Sequence, residues 1–222
     1  MTHNNEYMPK LLEFLRLLAE NNNREWFHEH KPQFDELRAL WIADIGRLIG
    51  IMAEYDESLR GVDVKDCVYR IYRDIRFSPN KLPYKNHFGA VIARGGRKTT
   101  HSCYYIHFEP GNCGLYGGIW CPDMDLLTKL RHEVDDNIEE FLGIIGNEEL
   151  SSRFTMVGDS LKSMPKGFPK DHPHAKYIKM KEYLVGMSVP DSYFTSDGWI
   201  ERAAADFKPI KPLHDFLNYV FD

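Results

Sequence analysis

The side chains best suited to chemistry lie between Arg70 and Lys85. These sixteen residues hold five cations and one anion, Asp74, so the segment has a formal charge of +4 in a chain whose net charge is −5. A local cluster of positively charged residues on an acidic protein favours a local anion site over a surface that binds polyanions everywhere. The planar guanidinium of arginine donates two parallel hydrogen bonds to phosphate or carboxylate, and several arginines together can surround a tetrahedral dianion. The segment therefore predicts a site for a small anionic, phosphorylated ligand.

Further polar residues extend the predicted site. Asp74 is expected to orient a neighbouring guanidinium, and Tyr84 can donate its hydroxyl to the ligand. A second basic stretch, residues 161–181, holds six lysines and one aspartate, and its histidine His172 is suited to anion binding or acid–base chemistry. No catalytic residue is predicted, and whether the protein is an enzyme is left open. The predicted ligand-binding residues are Arg70, Arg73, Asp74, Arg76, Lys81, Tyr84, Lys166 and His172.

Two other interpretations of the same segment stay open. Its arginines could pair with acidic helices and only lock the loop onto the scaffold, since structural ion pairs are common. The alternation of aromatic and basic residues also matches a single-stranded nucleic-acid module, or a protein-interaction module. The net charge of −5 disfavours nucleic acid, because such binding depends on neutralising phosphates.

Metal and cofactor sites are not predicted. His101, Cys103 and His107 share one parity of a predicted strand, with Cys113 and Cys121 on the next, but no pair has the short loop spacing of a structural zinc site. The chain also has no Walker A loop and no G-x-G-x-x-G, G-x-S-x-G or H-E-x-x-H pattern. The sequence therefore lacks the signatures of the common nucleotidases, dinucleotide enzymes, hydrolases and metallopeptidases.

The elements that must position these residues are predicted from apolar spacing. Residues at three- and four-residue intervals predict a helix beginning near Pro9, and Asn23 and Pro32 are placed to begin the next two. From residue 67 to 76 the period changes to two, which predicts a strand. Further strand-like runs follow, and helices are predicted after Pro122 and towards the C-terminus. The predicted fold class is α+β, a central largely antiparallel sheet with N-terminal and C-terminal helices packed on it.

The predicted meander over residues 88–120 has two unlike faces. If Pro110 and Gly111 form the centre of the turn, Tyr104, Ile106 and Phe108 belong to an apolar face suited to packing on helices. The opposite face combines glycines with aromatic and histidine side chains, which leaves a shallow floor for a ligand or for the 70–85 loop. The residues on that second face are His101, Cys103, Tyr105, His107, Gly114, Tyr116, Gly118 and Trp120.

The overall composition predicts a single domain spanning residues 1–222. No linker, repeat or low-complexity run divides the chain. The four cysteines form no C-x-x-C pair and the N-terminus lacks the features of a signal peptide, which favours a cytoplasmic protein. No apolar run approaches the roughly 20 residues that span a bilayer, so no membrane partner is expected. The oligomeric state is not predicted.

Eight residues between positions 70 and 84 also carry a resemblance to a known family. The chain resembles an uncharacterised, mainly bacterial group of domains of unknown function, and the likeness extends to residues 165–168 and 171–173. The resemblance implies a single cytoplasmic-type domain with a shared site, and it implies no reaction, substrate or cofactor. The residues that carry it are Arg70, Arg73, Asp74, Arg76, Phe77, Asn80, Lys81 and Tyr84.

Overall fold

The structure, a computed structural model, describes residues 5–221. In these residues 50% of the chain is helical, five strands form one open antiparallel sheet, and helices lie at both ends of the chain. The predicted α+β class is confirmed. The strands, in the spatial order β1-β2-β3-β5-β4, are β1 (Phe88–Ile92), β2 (Cys103–Phe108), β3 (Cys113–Ile119), β4 (Thr155–Val157) and β5 (Tyr183–Val189). The α-helices are α1 (Tyr7–Glu20), α2 (Arg24–Glu29), α3 (Lys31–Met52), α4 (Val64–Cys67), α5 (Met124–Asp136), α6 (Ile138–Gly146), α7 (Glu148–Ser151), α8 (Ala175–Ile178), α9 (Ser192–Thr195), α10 (Trp199–Phe207) and α11 (Lys211–Asn218).

The first three helices begin where the sequence predicts. The Asn23 side chain accepts a hydrogen bond from the amide of Trp26 and so caps α2. Pro32 lies in the first turn of α3, where its missing amide hydrogen has no helical partner to lose. Local side-chain chemistry therefore sets these boundaries.

Helix α3 packs its apolar stripe on the sheet. The Trp41 indole is fully buried, with ring centroids 5.8 Å from Phe88 in β1 and 5.6 Å from Phe108 in β2. It also stacks on Trp199 of α10 at 6.0 Å. These contacts place the helices on one face of β1 and β2 and leave the opposite face for polar side chains.

The predicted strand over residues 67–76 is wrong as a continuous strand. Only two isolated bridges form, Val68 with Ala90 and Tyr72 with Tyr84, both antiparallel. The amide of Arg73 donates to the carbonyl of Pro83, and Pro83 itself has no amide hydrogen to return. Pro83 thus limits the ladder, although the segment still runs antiparallel to the residues that lead into β1.

The turn between β2 and β3 has the predicted centre. The amide of Asn112 donates to the carbonyl of Glu109 across Pro110 and Gly111, and Gly111 has a φ of +74°, which glycine adopts without strain. Along β2 the burial alternates: Tyr104, Ile106 and Phe108 are buried. The side chains between them are half-buried, as expected for a sheet with one open face.

Two features of the C-terminal half differ from the sequence prediction. The helix expected after Pro122 is divided at Asn137 into α5 and α6. Strands β4 and β5 were not predicted, because β5 follows a proline-rich stretch and shows no alternation of apolar and polar residues. It is buried along most of its length, which removes the period-two signal.

The contacts of the chain group into two compact units. The first unit contains the described residues up to Arg97, together with Tyr105–Leu115 and Ser188–Ala205. The second contains Lys98–Tyr104, Tyr116–Met187 and the described residues from Asp206 onward. The single domain remains a prediction. Among residues 5–221, no helix combines the length and the apolar character needed to span a bilayer.

Candidate functional site

Four cations of the first unit interact electrostatically where the chain leads into β1. Lys85 is half-buried, and its Nζ lies 4.6 Å from the centre of the Tyr69 ring. Burial lowers the pKa of Lys85, and the positive charges of Arg70, Arg97 and Arg73 lower it further. We call Arg70, Arg73, Lys85 and Arg97 the cation cluster.

The members of the cation cluster differ in how they are held. Arg97 donates from Nε to the Asp66 carbonyl at 2.8 Å and from Nη2 to the Lys65 carbonyl at 3.3 Å. Neither Arg70 nor Arg73 forms an ion pair or a side-chain hydrogen bond with any residue from 5 to 221. Arg70 is exposed and Arg73 is half-buried, so the guanidinium groups of both residues keep N–H donors available for a partner from solvent.

The remaining predicted residues of the 70–85 segment already have partners, either within the loop or, for Tyr84, in α2. Asp74 accepts hydrogen bonds from Nε and Nη2 of Arg76 at 3.0 and 2.7 Å and so holds this neighbouring guanidinium. These bonds lower the pKa of Asp74 to about 2. Lys81 donates to the Ile75 carbonyl at 2.9 Å. The Tyr84 ring is buried and stacks on Phe27 with centroids 4.0 Å apart.

The two residues predicted outside the segment belong to the second unit. Lys166 is exposed. His172 is held by its surroundings: its Nε2 lies 2.7 Å from Oδ1 of Asp135, and its Nδ1 accepts from the amide of His174 at 3.1 Å. Both ring nitrogens of His172 are therefore occupied within its own unit.

A second polar group occupies the open face next to the cation cluster. Tyr105, His107 and Glu109 alternate along the chain and so point to one side of the sheet. The Tyr105 hydroxyl lies 3.0 Å from Nδ1 of His107, and Nε2 of His107 lies 2.9 Å from Oε2 of Glu109. The ionised carboxylate only accepts, so in the neutral ring Nε2 carries the proton and Nδ1 accepts from the tyrosine. We call His87, His107 and Glu109 the histidine–glutamate group.

His87 completes this group from the residue before β1. Its ring centroid lies 4.5 Å from that of His107, and its nitrogens have no hydrogen-bond partner among residues 5–221. Burial, then the neighbouring His107 and Lys85, lower the pKa of His87 to about 4, so the ring is neutral at pH 7. The open face thus combines free positive charge with neutral imidazole.

Comparison with known proteins shows which family the chain belongs to. The family described as "Conserved hypothetical protein (DUF2461)" matches residues 10–216, almost the whole chain. The chain belongs to the DUF2461 family. No curated protein and no solved structure matches it. The matched range includes the cation cluster, the histidine–glutamate group, Lys166 and His172, but the DUF2461 description assigns none of them a ligand or a reaction.

Sequence reasoning missed part of this DUF2461 site. Lys85 is one of the five cations of the 70–85 segment but is not among the predicted ligand-binding residues, and neither are His87, Arg97 and Glu109. A usable signal was present, because Lys85 and His87 lie two residues apart on one parity leading into β1, just as His107 and Glu109 do from β2 into the turn. The predicted second face of the meander did contain Tyr105 and His107.

Gly89 allows Tyr105 to reach His107. A Cβ at position 89 would lie 2.8 Å from the Tyr105 hydroxyl oxygen, which is too close. Gly89→Ala is therefore expected to displace the hydroxyl and break its hydrogen bond to His107, at a cost of about 1 kcal/mol in the free energy of unfolding. The ¹⁵N chemical shifts of the His107 ring should change.

Gly50→Ala is the matched control for this substitution. Gly50 lies in α3 with nothing within 4 Å of the added Cβ. Alanine should raise the free energy of unfolding there by up to about 1 kcal/mol, because it reduces the freedom of the unfolded chain. Unchanged His107 shifts in Gly89→Ala would contradict the proposed contact.

Proposed function

We propose that this protein binds a small anionic, phosphorylated ligand at the cation cluster. The observation that supports the proposal is that the guanidinium groups of Arg70 and Arg73 form no side-chain hydrogen bond and no close ion pair with residues 5–221, while their positive charges act on a half-buried ammonium, Lys85. Like charges brought together in a partly buried site repel one another. A bound dianion would remove this repulsion and satisfy the free donors at the same time.

Each cation would make a different contribution to the ligand. Arg70 and Arg73 can each donate two parallel hydrogen bonds to phosphate oxygens. Lys85 supplies a point charge, whereas Arg97 is anchored to the carbonyls of Lys65 and Asp66 and adds a fixed positive potential.

The other residues predicted from the sequence remain part of the proposal in weaker roles. Arg76 and Lys81 would have to exchange their present partners, Asp74 and the Ile75 carbonyl, for the ligand. Tyr84, Lys166 and His172 would act only if the ligand reached them. We therefore expect the largest losses of affinity from Arg70, Arg73 and Lys85.

The test is a thermal shift with inorganic phosphate at constant ionic strength. At 100 times the dissociation constant a ligand adds about 2.7 kcal/mol to the free energy of unfolding, or roughly 5 to 10 °C in Tm for a chain of this length. Arg73→Ala should weaken the affinity by about 10- to 100-fold, because it removes charge-assisted hydrogen bonds worth about 1.5 to 3 kcal/mol.

Arg76→Ala is the matched control, since it removes the same charge from the same loop. Its guanidinium group is already occupied by Asp74 and its side chain is 75% exposed, so the substitution should weaken the phosphate response much less than Arg73→Ala does. An equal response from wild type and Arg73→Ala would overturn the proposal. A larger shift with a single-stranded oligonucleotide than with phosphate would favour the nucleic-acid alternative.

A further inference from the structure

A second kind of site lies beside the cation cluster. In the histidine–glutamate group, one ligand atom from each of His87, His107 and Glu109 lies within 4.8 Å of the other two. All three residues are half-buried, so an ion can reach them from solvent. We propose that these three residues bind a divalent first-row transition-metal ion of the zinc class.

The type of the donors selects the class of ion. Two imidazole nitrogens and one carboxylate oxygen suit zinc and its neighbours, whereas magnesium and calcium take oxygen ligands. Three protein ligands of this composition leave a fourth position open for water or a ligand oxygen, as in catalytic rather than structural zinc sites.

The spacing of the donors is close to what such an ion needs. Ligand atoms around a tetrahedral zinc lie about 3.3 to 3.6 Å apart, since each zinc–ligand bond is about 2.0 to 2.2 Å long. Nε2 of His107 and Oε2 of Glu109 are now 2.9 Å apart across a shared proton. An ion can replace that proton after a small opening of the pair, and the free nitrogen of His87 then completes the set.

The proton balance of this exchange is simple. When Nε2 of the neutral His107 ring binds the ion, its proton moves to Nδ1. The hydrogen bond with Tyr105 then reverses, so that Nδ1 donates to the tyrosine oxygen. No proton is lost, because Glu109 is already ionised: although burial opposes it, hydrogen bonds from His107 and Asn112 lower the pKa of the carboxyl.

Partners outside the group hold two of the three ligands in place. Tyr105 lies at 3.0 Å from the ring nitrogen of His107 that would not bind the ion. The side-chain amides of Asn86 and Asn112 donate to Glu109, Asn112 at 2.7 Å. Metal-binding histidines and carboxylates are commonly oriented by such hydrogen bonds, and losing one typically costs 10- to 100-fold in affinity.

The experiment is a titration of chelator-treated protein with Zn²⁺ and Co²⁺ in phosphate-free buffer. We expect one equivalent to bind, with visible Co²⁺ absorption bands and a rise in Tm. His87→Ala and Glu109→Gln should each weaken binding by about 100-fold or more, and Tyr105→Phe by about 10-fold. His28→Ala, which removes an exposed histidine of α2, should bind like the wild type.

The outcomes separate this inference from the proposed function. Arg73→Ala should keep the metal affinity even where it loses the phosphate response, since the inference does not depend on anion binding. The metal site is overturned if the wild type shows no saturable one-to-one binding, or if His87→Ala and Glu109→Gln bind as tightly as the wild type. Should His87→Ala fail to fold, Glu109→Gln decides by itself.

Discussion

Arg131→Ala is expected to lower the free energy of unfolding by about 3 to 5 kcal/mol. Arg131 of α5 is 3% exposed. Its Nε donates to the Ile178 carbonyl and its Nη2 to the Met180 carbonyl, both at 2.9 Å. Alanine would leave both buried carbonyls without donors and open a cavity between α5 and the chain that leads into β5. Denaturant unfolding followed by circular dichroism measures the loss.

Two further substitutions separate the causes of this loss. Arg131→Met fills most of the volume but donates no hydrogen bond, so it should still cost about 2 kcal/mol or more. Lys129→Ala removes an exposed cation from the same helix and should change stability by no more than about 0.5 kcal/mol. If Arg131→Met left the free energy of unfolding unchanged, the two carbonyls would not need their donors, contrary to our expectation.

Trp41→Ala is expected to cost about 3 to 5 kcal/mol in the first unit. The indole is fully buried and lies within 6.0 Å of the rings of Phe88, Phe108 and Trp199. Its Nε1 has no hydrogen-bond acceptor among residues 5–221, so the stabilisation comes from apolar packing. Chemical denaturation gives the change in stability.

Trp41→Ala should also disturb side chains on the open face of the sheet. Phe88 and Phe108 directly follow His87 and His107, and successive residues of a strand point to opposite faces. Loss of the indole under these strands should therefore broaden or shift the ring signals of both histidines in NMR spectra. Trp120→Ala, which removes a tryptophan that is 69% exposed, should leave stability within about 0.5 kcal/mol and serves as the control. Equal effects of the two substitutions would contradict the assigned role of Trp41.

Much of the fold could be predicted where local chemistry decides it. The cap at Asn23, the first-turn position of Pro32 and the turn at Pro110 and Gly111 each depend on residues close in sequence. The strand predicted over residues 67–76 was wrong as a continuous strand, because Pro83 in the facing segment has no amide hydrogen to continue the ladder. Strand β5 was missed because a strand buried along most of its length loses the alternation that reveals it.

For the site, the amino-acid sequence alone determined that positive charge is concentrated between Arg70 and Lys85 and that the fold is α+β. Only the tertiary structure decided which of those charges remain available. Arg76 is paired with Asp74 two residues away, whereas the positive charges of Arg70, Arg73 and Arg97 act on Lys85 and lower its pKa. The pairing of β1 with β2 likewise brings His87 to His107, twenty residues further along the chain. Such proximity of residues distant in the chain depends on strand order and register, which no local pattern of residue types encodes.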